Sequence, residues 1–146
     1  MAKSKRYEFI SKLRSALNKE TERTLNKQAR YMAKRVGCGI EEYKPQFAFG
    51  IVFNADKPFH LSIQASGCHY CTPRITMPYK YYETFELAIC YDNEMISATR
   101  LFGEDDELAV KLDTYFDGTI FKYLPTDMVE RLYQRCKEQF GLIEVQ

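Results

Sequence analysis

The sequence predicts an α+β fold: a basic helical region at the N-terminus, a central antiparallel β-meander of about four strands, and an amphipathic C-terminal helix on the sheet. Three observations predict it. Apolar residues recur every three or four positions at both ends of the chain. They alternate with period two through its middle. The strand-like runs are joined by turns that suit only antiparallel neighbours, without the β-α alternation of a parallel sheet.

Residues 4–36 read as helical, either one long helix or two that meet near Glu20-Thr21-Glu22. Ile10, Leu13, Leu17, Leu25, Ala29, Met32 and Val36 form the apolar stripe, and no Pro or Gly interrupts it. Ser4 is the candidate N-cap, and Gly37 and Gly39 supply the stop. Phe47–Phe53 is the first strand, Asn54–Pro58 a turn, and Phe59–Ala65 a second strand with Phe59, Leu61 and Ile63 on one face. An irregular segment from Gly67 to about Tyr81 carries Pro73 and Pro78. Phe85–Tyr91 is the clearest strand, Asp92-Asn93 a tight hairpin turn, and Met95–Leu101 the returning strand. Gly103–Glu107 reads as a solvated acidic loop. Leu108–Leu112 reads as a helical turn and Thr119–Tyr123 as a short extended piece. The last helix starts at Pro125, with Thr126 or Asp127 as cap, and stops at Gly141. Val129, Leu132, Tyr133, Cys136 and Phe140 make its apolar stripe. The division is therefore 1–36, a basic helical region, and 37–146, an α+β body, together read as one compact domain with the helical region either packed on the body or extending from it as an arm.

A chain of 146 residues, 45% hydrophobic and 28% charged, is long enough for its own core and too apolar for disorder. It has no run of about 18 apolar residues, so no membrane span is expected. No apolar stretch follows the basic Met1–Arg6, so no secretory signal is expected either. Five scattered cysteines (Cys38, Cys68, Cys71, Cys90 and Cys136) fit a reducing cytoplasm better than a disulfide framework. The net charge of +1 is unevenly spread. Residues 1–36 hold eleven basic and three acidic side chains, a net of +8, and residues 37–146 hold ten and seventeen, a net of −7. Lys12, Lys19, Lys27, Arg30 and Lys34 are the candidate contacts of that basic face to nucleic-acid phosphates or to an acidic partner. A solvated helix face is the bland alternative.

Catalytic constellations are thin. There are two histidines and no phosphate-cradling glycine loop, and the paired carboxylates at Asp105-Asp106 and Asp113/Asp117 include a first pair that reads as solvated surface. Cys68-His69-Tyr70-Cys71 is the one compact motif. A structural zinc needs four ligands. Cys68, Cys71 and His69 would need a fourth such as Cys38, and His60 is an alternative to His69. A dithiol couple needs a strand-to-helix junction, which the following Thr72-Pro73 disfavours. Idle thiols in a loop are the favoured reading, and no cofactor or resident metal is expected.

Tyr70–Tyr82 is different. Its thirteen residues hold four Tyr, two Pro, one Arg, one Lys and one Met. Prolines stiffen such a loop, and Tyr and Arg are the types that dominate contact energies. Tyr70, Arg74, Tyr79, Lys80, Tyr81 and Tyr82 are therefore the candidate partner-binding residues. The competing reading folds the tyrosines back onto the sheet. The hairpin edges and this loop would equally serve a homodimer.

The stretch from Tyr70-Cys71-Thr72-Pro73-Arg74 through Phe85-Glu86-Leu87-Ala88-Ile89 to Tyr123-Leu124-Pro125-Thr126-Asp127-Met128-Val129 resembles a layout seen in small phage and prophage proteins. The resemblance covers about half the chain and excludes the basic N-terminal region. It implies a phage-encoded accessory protein, a group that includes anti-CRISPR-like antagonists of host defence. The partner it implies is a host protein or ribonucleoprotein complex in the host cytoplasm. It carries no catalytic residues.

Overall fold

A computed structural model of the chain describes residues 7–15, 27, 30–31, 34–35, 37, 49–75 and 77–143. The expected N-cap Ser4, the candidate contact Lys19 and the candidate ligand Cys38 lie outside the described residues.

The fold is α+β. Strands β1 (Arg14–Ser15), β2 (Phe49–Phe53), β3 (Phe59–Gln64), β4 (Thr84–Tyr91) and β5 (Glu94–Ile96) lie in that order, each antiparallel to the next. β6 (Phe121–Pro125) pairs antiparallel with the first half of β4, so β5 and β6 share one edge of that long strand. The expected meander is thus β2 to β5, extended by two further strands.

The β4–β5 turn forms where the sequence places it. Asp92 and Asn93 both adopt positive φ, at 52° and 64°, which matches the twist of a two-residue hairpin. Along β3 and β4 the alternation sends Phe59, Leu61, Ile63, Phe85, Leu87 and Ile89 into the core. The C-terminal helix covers that face. It spans Thr126–Phe140 and buries Val129, Leu132, Tyr133 and Cys136, the expected stripe. Gly141 ends it at φ 80°, a conformation glycine adopts without Cβ strain. Neither expected cap acts as one. The Thr126 hydroxyl donates to the carbonyls of Tyr82 and Glu83, tying the helix to the start of β4, and Asp127 accepts from the Tyr7 hydroxyl.

Three expectations are corrected. The helix over 4–36 is not continuous: α1 is Glu8–Lys12, Leu13 is extended, and Arg14 and Ser15 pair with Gly50 and Phe49. Edge pairing satisfies the backbone there, which a helical apolar spacing does not reveal. The strand over 95–101 stops at Ile96. Ser97 accepts from the Arg100 amide and opens α2, Ala98–Phe102. Asp113, at the end of α3 (Glu107–Asp113), accepts from the amides of Ala98 and Thr99 at 2.8 and 3.2 Å. Finally, the acidic loop is not all solvated. Asp106 caps α3 through the Ala109 amide and pairs with Arg135 at 2.5 Å. These contacts hold its carboxyl below the usual range.

Candidate functional site

The site grows from the long connection between β3 and β4. Past Gln64 the chain closes a tight turn around Ser66, which is fully buried. The Ser66 hydroxyl accepts from the Cys68 amide at 3.0 Å and lies 2.7 Å from His69 Nδ1. The Cys71 thiol donates to the Ser66 carbonyl at 3.2 Å. Two bonds then stitch the loop to β4: Thr72 N to Thr84 O at 3.4 Å, and Glu83 N to Thr72 O at 2.9 Å. A third, Tyr123 N to Tyr70 O at 3.1 Å, fastens it to β6. The Thr72–Pro73 peptide is cis.

The four tyrosines divide. Tyr82 is buried, and its hydroxyl donates to Ile75 O at 2.6 Å and accepts from Met77 N at 3.0 Å. Tyr79 is half-buried, and its hydroxyl donates to Ile63 O and accepts from Ala65 N. Their rings and that of Phe85 form a cluster with centroids 5.5–5.8 Å apart. Burial pushes both phenols up, so they stay protonated as donors. Tyr79 and Tyr82 are therefore corrected from docking residues to the anchors of the loop, because the ends of β3 and the loop offer them backbone groups to satisfy.

Tyr70, Arg74, Lys80 and Tyr81 face outward. Tyr81 is 59% exposed, with the Lys80 ammonium 5.0 Å from its ring centroid. Arg74 lies 5.4 Å over the Tyr70 ring and Lys122 4.3 Å from the same centroid. Two residues not singled out from sequence complete the surface: Lys122, paired with Asp117 at 3.2 Å, and Tyr123, whose ring meets Tyr70 edge-on at 5.9 Å. Tyr123 holds φ 52°, beside the irregularity where β6 pairs with Phe85 and Leu87. A bulky residue at positive φ is strained and concentrates at functional surfaces. The signal available in sequence was Lys122-Tyr123 between the apolar Phe121 and Leu124. Exposed Ile75 joins the same loop.

The two thiols of the CxxC motif sit in different surroundings. Cys68 is exposed, Cys71 is buried, and neither forms a disulfide. Burial is the main influence on the Cys71 thiol and pushes it up, away from thiolate reactivity. Among the described residues no group of three or more His, Cys, Asp or Glu is placed to hold a metal. His60 sits in register opposite Cys90 on the outer sheet face, and burial lowers its affinity for a proton. Ser66, His69 and Glu86 follow one another in space, with His69 Nε2 4.0 Å from Glu86 Oε2. Ser66 is sealed from solvent and closes the turn, so it presents no accessible nucleophile.

Burial sets the charges of that pair against each other. It lowers His69 to about pH 4, with Arg74 adding to the effect, and raises Glu86. The histidine is neutral at pH 7. A folded-state value below the ordinary 6.5 means that the unfolded chain takes the proton first as pH falls. The His69 contribution to stability is thus complete above about pH 6.5 and declines between 6.5 and 4. Titration of the His69 ring by NMR is expected to give a midpoint near 4 while the fold persists. A midpoint at or above 6.5 would show an open turn.

In the N-terminal region, Lys27, Arg30 and Lys34 have helical backbone and are exposed, and Arg35 lies 5.7 Å over the exposed Tyr31 ring. Lys12, at the end of α1, is half-buried. Among the described residues no helix is long and apolar enough to cross a membrane. No protein-family model, curated protein or solved structure matches the chain.

Proposed function

We propose that this chain is a non-catalytic binding protein that docks on a protein or ribonucleoprotein complex through Tyr70, Arg74, Lys80, Tyr81, Lys122 and Tyr123. One observation carries the reading. Exposed tyrosines and cations stand on a loop whose inner tyrosines, Tyr79 and Tyr82, hold it to the core. A surface ordered before contact loses little entropy on binding, and Tyr and Arg are the side chains that concentrate binding energy. The phage resemblance supplies the setting: a cytoplasmic antagonist of a host defence or nucleic-acid-processing machine.

Capture from bacterial lysate on the immobilised full chain tests this. Proteins retained by the wild type are expected to be lost by Arg74→Ala/Tyr81→Ala. They should be kept by Arg100→Ala, which alters an exposed arginine paired with Glu94 at 2.8 Å. An identical captured set from the loop variant would remove the assignment.

A further inference from the structure

We infer that Arg74 is a clasp for an Asp or Glu side chain of a partner protein, with Ile75 and Tyr81 as the apolar flank of the contact. This rests on the docking reading above and specifies its chemistry.

The charge pattern around the loop motivates it. Lys122, Arg100, Arg135 and Lys137 each hold a carboxylate within 3.2 Å, whereas Arg74 forms no ion pair among the described residues. Arg74 is exposed and lies over the Tyr70 ring, with Lys122 over the same ring. A guanidinium held beside a ring by its charge keeps N–H donors that the ring does not use. Those donors match the two oxygens of a carboxylate in a bidentate pair. Lys122 is already neutralised by Asp117, and exposed Lys80, beside the Tyr81 ring, is a compact ammonium without a fork, so Arg74 is the guanidinium of this surface open to a two-point contact with an incoming anion.

The surroundings favour one carboxylate over a run of phosphates. Glu86 accepts from the Tyr70 amide, Asp117 holds Lys122, and Glu83 is exposed beside the buried Tyr82. Acids in and beside the loop oppose a run of phosphates more than they oppose one carboxylate, and Glu86, which lies within electrostatic reach of Arg74, does not pair with it among the described residues. Ile75, 55% exposed, and Tyr81 are apolar bodies of the kind that flank a charged anchor in a protein contact.

The test uses the full chain and two probes: a displayed library of random dodecapeptides, and single-stranded dT20. Selected peptides are expected to be enriched in Asp and Glu. Their affinity should fall about tenfold in Arg74→Gln, fall also in Arg74→Lys, which lacks the fork, and hold in Arg100→Gln. Peptides that lose binding in Tyr81→Ala but not in Arg74→Gln would overturn the clasp and leave the docking surface standing. Peptides indifferent to every loop substitution would overturn both. Arg74-dependent binding of dT20 without acidic-peptide selection would replace the protein partner with a nucleic acid. Circular dichroism of each variant separates lost contact from lost fold.

Discussion

Phe9→Ala is expected to lower the stability of the protein by about 3–5 kcal/mol, a large part of the total for a domain of this size. α1 has only five residues and cannot hold a helical turn unaided. Its amides at Glu8 and Phe9 donate to the two oxygens of Glu130 at 3.0 and 3.1 Å, and Lys137 reaches Glu8 at 3.0 Å. These contacts aim the Phe9 ring inward, where it is fully buried and meets Phe85 edge-on at 5.5 Å. Removing it leaves a cavity between the C-terminal helix and β4, at the base of the Tyr79–Tyr82–Phe85 cluster that supports the loop. Urea denaturation should show an earlier midpoint with an unchanged slope. A loss below about 1 kcal/mol would mean that the N-terminal turn is not part of the cooperative unit.

What the sequence made legible follows from which signals are local. β4 and the Asp92-Asn93 hairpin were readable because alternation and turn chemistry act within a few residues. The C-terminal helix was readable from its stripe and Gly141. The break at Leu13 was not, because its cause lies in pairing with residues some 35 positions away. The end of β5 at Ile96 was only half hidden: Ser97, which caps the Arg100 amide, is a local signal, but the carboxylate that receives the amides of Ala98 and Thr99 belongs to the distant Asp113. At the site, composition revealed which residue types crowd the loop but not which way they turn. Tyr79 turns inward because the Ile63 carbonyl and Ala65 amide at the end of β3 need partners. Tyr70 turns outward onto two cations. Lys122 and Tyr123 were missed because β6 reaches the loop only through the folded sheet.

Tyr82→Phe is expected to separate the two jobs of the loop. The substitution keeps the ring against Tyr79 and Phe85 and deletes the hydroxyl that joins Ile75 O to Met77 N. Leaving both backbone groups without that partner costs about 1–3 kcal/mol. The cost falls on the segment that presents Arg74 and Ile75, while Thr72 remains paired with β4. Amide exchange at Met77 should therefore quicken by about tenfold or more, with the sheet amides of β3 changing no more than global stability requires. Binding should weaken in parallel, because a loop that must be ordered at the moment of contact gives up part of the interaction energy. Unchanged exchange at Met77 would show that the Thr72–Thr84 bridge alone fixes the segment. Unchanged binding with faster exchange would show that the partner does not use the order Tyr82 provides, leaving the exposed side chains as the whole basis of recognition.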